Sequence, residues 1–334
     1  MGHFMTARTG TKSHDWLSFH IFYSGSLDYL LLRTIAPILV ATRKLDLWRM
    51  FFFVRYSEGG PHVRLRLLPQ SPDGANSLRQ FVMTGIAKSL LRLQRTDKRN
   101  GHGANKKSCD NYEIRDIPYV AETERYGGPK GMRLAEEHFW HSSVACLSLL
   151  RNFPDASQDL RVAMAIQLHI PFFCGLRLGR PDMIRLLETF TLQWSHLPML
   201  VRLEGQSDAA NPENPLAWFE RYFALLGSDT ATEIQQFVIH CEGGGVRRPR
   251  FLKEWFRSCQ SIASQLTARK FLLDLQVSGE LLAGANCSKG SRVSELLLSY
   301  MHMTNNRLGV HNLNEAFLAF VLKRSLELAD NDKA

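Results

Sequence analysis

Near residue 130 the apolar residues of this chain change their period, and that change limits the fold more than any other feature. Before it, short runs rich in aromatic and β-branched residues read as strands, whose side chains alternate between two faces: Trp16–Tyr23 (WLSFHIFY), Leu47–Tyr56, Val63–Leu68 and a stretch from Tyr112 to Tyr126. From Met132 onward the apolar positions take the helical period, over 132–152, 157–178, 181–196, 215–227, 230–241, 251–274, 293–308 and 312–329, with Pro, Gly, Asn and Ser in the breaks. Strands with a few helices first, then helices, predict an α+β protein. Its N-terminal mixed or antiparallel sheet with helices spans 1–130 and its mainly helical part 131–334, in one domain.

Local signals refine the first part. Ser26 is placed to cap a helix that carries Pro37 in its middle, which implies a kink or a break there. SEGGP joins the second and third strands as a hairpin turn. A helix follows SPDGAN, with Leu78, Phe81, Val82 and Ile86 at helical spacing, and a long loop runs from Thr96 to Asn111.

Lys and Arg number 41 against 32 Asp and Glu, a net charge of +9. Such an excess suits an anionic partner, whether nucleic acid, acidic peptide or phosphate compound. The basic segments Arg95–Lys107 (RTDKRNGHGANKK) and Gly243–Arg250 (GGGVRRPR) read as exposed loops. Six cysteines without a CxxC pair read as reduced thiols, and no spacing suggests a zinc site. No run of eighteen apolar residues exists, and MGHFMTARTG lacks the apolar region of a signal peptide, so a cytoplasmic protein without a membrane span is expected. No GxGxxG follows a strand, and there is no Walker A sequence, GxSxG elbow or HExxH. The expectation is chemistry without a cofactor or metal.

Three constellations carry chemistry. In Gly60–Leu67 (GPHVRLRL) strand alternation puts His62, Arg64 and Arg66 on one face and Val63, Leu65 and Leu67 on the other. The cationic face is either a solvated edge or a two-point carboxylate binder, for which arginine is the suitable residue. In Ala121–Gly128 (AETERYGG), Glu122, Glu124 and Arg125 alternate before a Gly-Gly turn, as an ion-paired strand end or as carboxylates that order an arginine. In Ser294–Gly309 (SELLLSYMHMTNNRLG), a turn of about 100° per residue brings Glu295, Ser299, His302 and Asn306 into one narrow arc. Histidine is the side chain suited to proton transfer near neutral pH.

In this order, FFFVRY, EGGPHVRLRL, ETERYGG and HMTNNRLG resemble the C-terminal elimination domain of class I lanthipeptide dehydratases and the thiopeptide biosynthesis proteins related to it. The resemblance runs from about Trp16 to Leu326. It implies a cofactor-independent enzyme acting on a modified precursor peptide with its leader, alongside other thiopeptide biosynthesis enzymes, with neither membrane nor nucleic acid as partner. Eliminases of this family remove glutamate from glutamylated Ser or Thr. The related pyridine synthases join two dehydroalanines in a formal aza-[4+2] cycloaddition, then lose water and the leader. Carried over by motif, the glutamate-handling arginines fall on Arg64 or Arg66 and on Arg125, with Glu122 as partner, and the eliminase histidine on His302.

One departure points toward the synthases. Where eliminases have an apolar residue two before the histidine, this chain has Tyr300, and the synthases resemble it in using Tyr and Ser here, which implicates Tyr300 and Ser294 beside His302. Expected contacts to substrate are Arg64, Arg66, Glu122, Arg125, Ser299 and Asn306. The helix period nonetheless sends Tyr300 and His302 roughly 160° apart, so one straight helix cannot aim both at one small site. A split-dehydratase eliminase subunit is the alternative activity, and a basic peptide- or nucleic-acid-binding protein the non-enzymatic one.

Overall fold

The structure, a computed structural model, describes residues 16–99, 111–195, 215–246, 249–266 and 292–331. The N-terminal decapeptide, Cys109, Cys287, most of the loop expected after Thr96, Arg247 and Arg248 of the second basic segment, and the end of the helix expected over 251–274 lie outside the described residues. The chain forms two compact units: one of residues up to Phe52 and 56–120, the other of Phe53–Arg55 and the residues from Ala121 on.

The first unit is built on a four-stranded antiparallel sheet in the order β2-β3-β1-β4. Its strands are β1 (Leu17–Phe22), β2 (Trp48–Tyr56), β3 (His62–Pro69) and β4 (Glu113–Asp116). Helix α1 (Leu27–Leu30), a wide turn over Leu31–Ile35 and α2 (Ala36–Lys44) follow β1, and α3 (Ala75–Arg99) follows β3. Ser26 accepts a bond from the Tyr29 N–H, as a cap should. The wide turn falls just before Pro37, whose ring would clash with the carbonyl four residues back in a regular helix, so the expected break is a local widening.

Register pairs Leu17 with Leu67, Phe19 with Leu65 and Ile21 with Val63, and all six side chains are buried on one face. On α3, Leu78, Val82, Ile86 and Leu90 form the buried stripe, whereas Phe81, expected to join them, lies at its edge and is exposed. The strand expected from Tyr112 to Tyr126 is only four residues long. Ile117 still bonds Ser18, but Pro118 has no N–H to continue a ladder, and residues 123–127 wind into a turn.

The second unit contains α4 (Gly128–Asn152), α5 (Gln158–Gly175), α6 (Arg180–Ser195), α7 (Pro215–Glu242), α8 (Arg250–Leu266), α9 (Arg292–Leu308) and α10 (Asn312–Asn331). Gly227 interrupts α7 at φ 76°, at the last residue of the helix expected over 215–227 and next to the expected break. Helix α9 packs on α4 and α5, and α10 packs on α6 and α7. Four cysteines among the described residues are free and buried. Among the described residues no helix is long and apolar enough to cross a membrane.

Candidate active site

Within the helical unit, Glu124–Gly127, Gln193 and Trp194, and Glu295, Leu296, Leu298, Ser299 and His302 line a cleft of about 580 Å³. The first wall is the ERYGG turn. Gly127 and Gly128 both take positive φ (78° and 88°), a conformation in which a side chain would be strained, so this reversal needs its glycine pair. It closes with Gly128 N–H donating to the Thr123 carbonyl at 2.8 Å and turns Tyr126 inward while Arg125 stays exposed. Arg125 bonds Glu122 at 2.9 Å, an ion pair that is half open to solvent.

The second wall is one face of α9. Glu295, Ser299 and His302 share it, as their spacing predicts, and the Ser299 hydroxyl bonds the Tyr126 hydroxyl at 3.0 Å. Burial pushes the Tyr126 phenol up, so it stays protonated and able to donate. His302 is held on two sides. Its Nδ1 lies 3.1 Å from both carboxylate oxygens of the buried Glu315 on α10, and the Trp194 indole stacks on its ring at 4.4 Å. Glu315 also accepts from Asn305 Nδ2 at 3.0 Å, and Asn305 Oδ1 lies 2.7 Å from His169 Nε2.

The opposite face of α9 is structural. Tyr300 is fully buried, stacks on His138 at 4.2 Å, and its hydroxyl has no hydrogen-bond partner among the described residues. Ser294 is buried and does not line the cleft. Neither residue lines the cleft: α9 is a regular helix, and the side that carries His302 cannot also carry Tyr300. Asn306, expected at the substrate, instead clasps the backbone of Arg55, accepting from its N–H at 2.9 Å and donating to its carbonyl at 3.0 Å.

Most of NNRLG serves to end α9. Arg307, fully buried, bonds Ser143 at 3.0 Å, while Arg55 and Arg161 donate to the Arg307 and Leu308 carbonyls that the helix end leaves open.

Arg64 and Arg66 stand in the sheet unit, and their face is no solvated edge. Register sets His20 opposite both Arg64 and Arg115, and Ser18 opposite Arg66. Arg64 lies 3.3 Å over the Tyr56 ring and donates to His62 at 3.1 Å. Arg66 is buried beside Tyr119 and His20. Burial, and then the positive charges of Arg66, Arg64, His62 and Arg115, pull His20 down to about 3.

Glu315, Trp194, Asn305, His169 and the cleft-facing role of Tyr126 are absent from the sequence reading. Among the described residues no group of three His, Cys, Asp or Glu is arranged to hold a metal ion.

A family model described as lantibiotic biosynthesis dehydratase C-term matches residues 16–326. Among curated proteins, the chain is similar to the epidermin biosynthesis protein EpiB of Staphylococcus epidermidis, at 22% identity over 164 residues. That match spans 47% of this chain and 14% of EpiB. Among solved structures, it is similar to the pyridine synthase TbtD from thiomuracin biosynthesis, with TM-score 0.65 and 17% identity over 95% of this chain and 99% of that one. TsrL matches with TM-score 0.64 and 18% identity over 95% of each chain. The tRNA-dependent lantibiotic dehydratase MibB from Microbispora sp. 107891 matches with TM-score 0.55 and 18% identity, covering 98% of this chain and 29% of MibB.

Proposed function

The chain belongs to the lantibiotic biosynthesis dehydratase C-terminal family, and from that premise we propose that it modifies a ribosomally made precursor peptide by joining two of its dehydroalanines into a pyridine. The observation that carries this reading is a cleft that brings together an imidazole and a pair of neutral hydroxyls: His302 and Ser299 on the α9 wall, and Tyr126 bonded to Ser299 from the facing turn. Support comes also from the fold, shared over nearly its whole length with a structure titled as a pyridine synthase.

In a formal aza-[4+2] reaction, a backbone amide next to one dehydroalanine tautomerises to an iminol. His302 Nε2 takes the amide N–H proton while the Tyr126–Ser299 hydroxyl pair passes a proton to the carbonyl oxygen, giving the iminol. Two bonds then join the azadiene to the second alkene, and the ring hydroxyl leaves as water with one ring proton. The imidazolium then protonates the nitrogen of the departing leader amide as a second ring proton restores the hydroxyl pair. Holding two distant alkenes at reacting distance is the larger contribution, because it replaces an improbable ring closure by a prepared one. Arg125, exposed at the cleft rim, binds a peptide carboxylate. Arg64, half-buried on the cationic face of the sheet, serves the same precursor in this reading, while the buried Arg66 keeps that face positively charged.

A second reading, glutamate elimination, is favoured by Arg125 and His302 lining the same cleft: a guanidinium for the departing carboxylate and a base for the Cα proton. One experiment separates the two. The protein is incubated with dehydrated precursor and, separately, with glutamylated peptide, and both are followed by mass spectrometry. Released leader amide with a macrocycle supports cycloaddition, free glutamate supports elimination, and two intact linear peptides overturn both.

A further inference from the structure

We infer that Glu315 is the positioning residue of His302: its carboxylate holds the imidazole as the Nδ1–H tautomer, so that Nε2 offers its lone pair to the cleft. The inference rests on the reading above only in taking His302 as the working base. The geometry is that of one N–H shared by two acceptors, with Nδ1 at 3.1 Å from each oxygen of a side chain that is 1% exposed. An ionised carboxylate can only accept. The nitrogen it engages must therefore carry the proton, and the other must be the base.

The neighbours fit one direction of donation. Because Glu315 accepts, Asn305 must present Nδ2 to it at 3.0 Å, which turns Asn305 Oδ1 toward His169. His169, buried and pulled down to about 4 by that burial, is neutral near pH 7 and donates through Nε2 at 2.7 Å. Glu315 is thus the end of two donor chains, one from His302 and one from His169 through Asn305. Burial pushes its carboxyl up, while the bonds from His302 and Asn305 oppose that rise. Trp194 fixes the plane of the same imidazole from its face, so edge and face are both set before a peptide arrives.

Long-range proton–nitrogen spectra of nitrogen-15-labelled protein read the tautomer directly, with His302→Gln to assign the resonances. The wild type should show Nδ1 protonated and Nε2 bare. In Glu315→Gln, the amide keeps its oxygen for Asn305 and donates its N–H to Nδ1, so His302 should switch to the Nε2–H form. Turnover should then fall about 10²- to 10⁴-fold with little change in KM, as a wrong tautomer does in a carboxylate–histidine pair, and Glu315→Asp should restore part of it. A wild-type ring carrying its proton on Nε2 overturns the inference, and needs no variant to fold. An unchanged tautomer with wild-type turnover in Glu315→Gln overturns it too. If the tautomer switches as expected and the wild type processes neither peptide, the proposed function fails and the positioning role stands.

Discussion

Replacing Tyr300 by phenylalanine separates the two roles this residue could have. Its hydroxyl is wholly buried and has no partner among the described residues, while its ring stacks on His138 at 4.2 Å and packs edge-on to Phe139. A buried polar group without a hydrogen bond costs about 1–3 kcal/mol. The phenylalanine variant keeps the ring, its stack and its buried area and removes only that cost. Stability should therefore hold or rise by up to roughly 2 kcal/mol, whereas Tyr300→Ala, which empties the site, should lose about 3–5 kcal/mol. Urea unfolding measures both, and turnover of dehydrated precursor by Tyr300→Phe should match the wild type. Tyr126→Phe is the contrast: it deletes the phenol that lines the cleft and bonds Ser299, and should lower turnover by about 10²- to 10³-fold, as loss of one preorganised donor does. Tyr300→Phe losing about 10²-fold or more in rate at unchanged stability would refute the reasoning, because the hydroxyl would then reach the substrate.

Three further outcomes follow from the same contacts. Asn306→Ala leaves the backbone N–H and carbonyl of Arg55 without the two bonds at 2.9 and 3.0 Å; unfolding should show a loss of about 1–3 kcal/mol, with KM unchanged. Arg125→Ala breaks a pair whose side chains are 51% and 60% exposed, so stability should change by less than about 1 kcal/mol while KM for the peptide rises. The acid limb of stability should carry His169. Its folded value, about 4, lies below the ordinary 6.5, so below 6.5 the unfolded chain binds a proton that the native chain refuses. Stability falls as pH falls from 6.5 toward 4, by about 3 kcal/mol at roughly 1.4 kcal/mol per pH unit. Unfolding midpoints of the wild type and His169→Gln, compared across that window, should converge as pH falls; parallel curves would refute it.

The helical unit was legible because its period is long and its breaks are chemically marked; Gly227 falls where the apolar repeat of α7 lapses. The sheet strands were legible from alternation, yet alternation could not say that Arg66 is buried, since its cover by Tyr119 comes from a residue 53 positions away. The strand expected beyond Asp116 stops there because Pro118 has no N–H to carry the ladder on, which strand propensity along the run does not register. The stripe Glu295, Ser299, His302 was readable from the helix period alone, and so was the conflict that removes Tyr300 from it. Asn306 obeys the same period and still leaves the cleft, because Arg55 occupies its amide. Glu315 was hidden by its position: it lies thirteen residues beyond His302, on the next helix, and only the packing of α10 turns that carboxylate to His302.

Elimination and cycloaddition ask this cleft for the same first act, removal of one proton by an imidazole, and they part on what must be held while it happens. Elimination needs one glutamyl ester with its carboxylate on a guanidinium, a small ligand. Cycloaddition needs two dehydroalanines and the peptide flanking each, with a donor at an amide oxygen. A cleft of about 580 Å³ is of the size that encloses a drug-sized ligand, more than one glutamyl group fills. Its hydroxyl pair, Tyr126 and Ser299, can donate to an amide oxygen in either reaction, since loss of a Cα proton also places charge there, and size is what separates the two. Narrowing the cleft with Leu298→Phe therefore discriminates: it should cost the turnover of dehydrated precursor more than that of a glutamylated peptide, and equal losses on both would remove the size argument for cycloaddition.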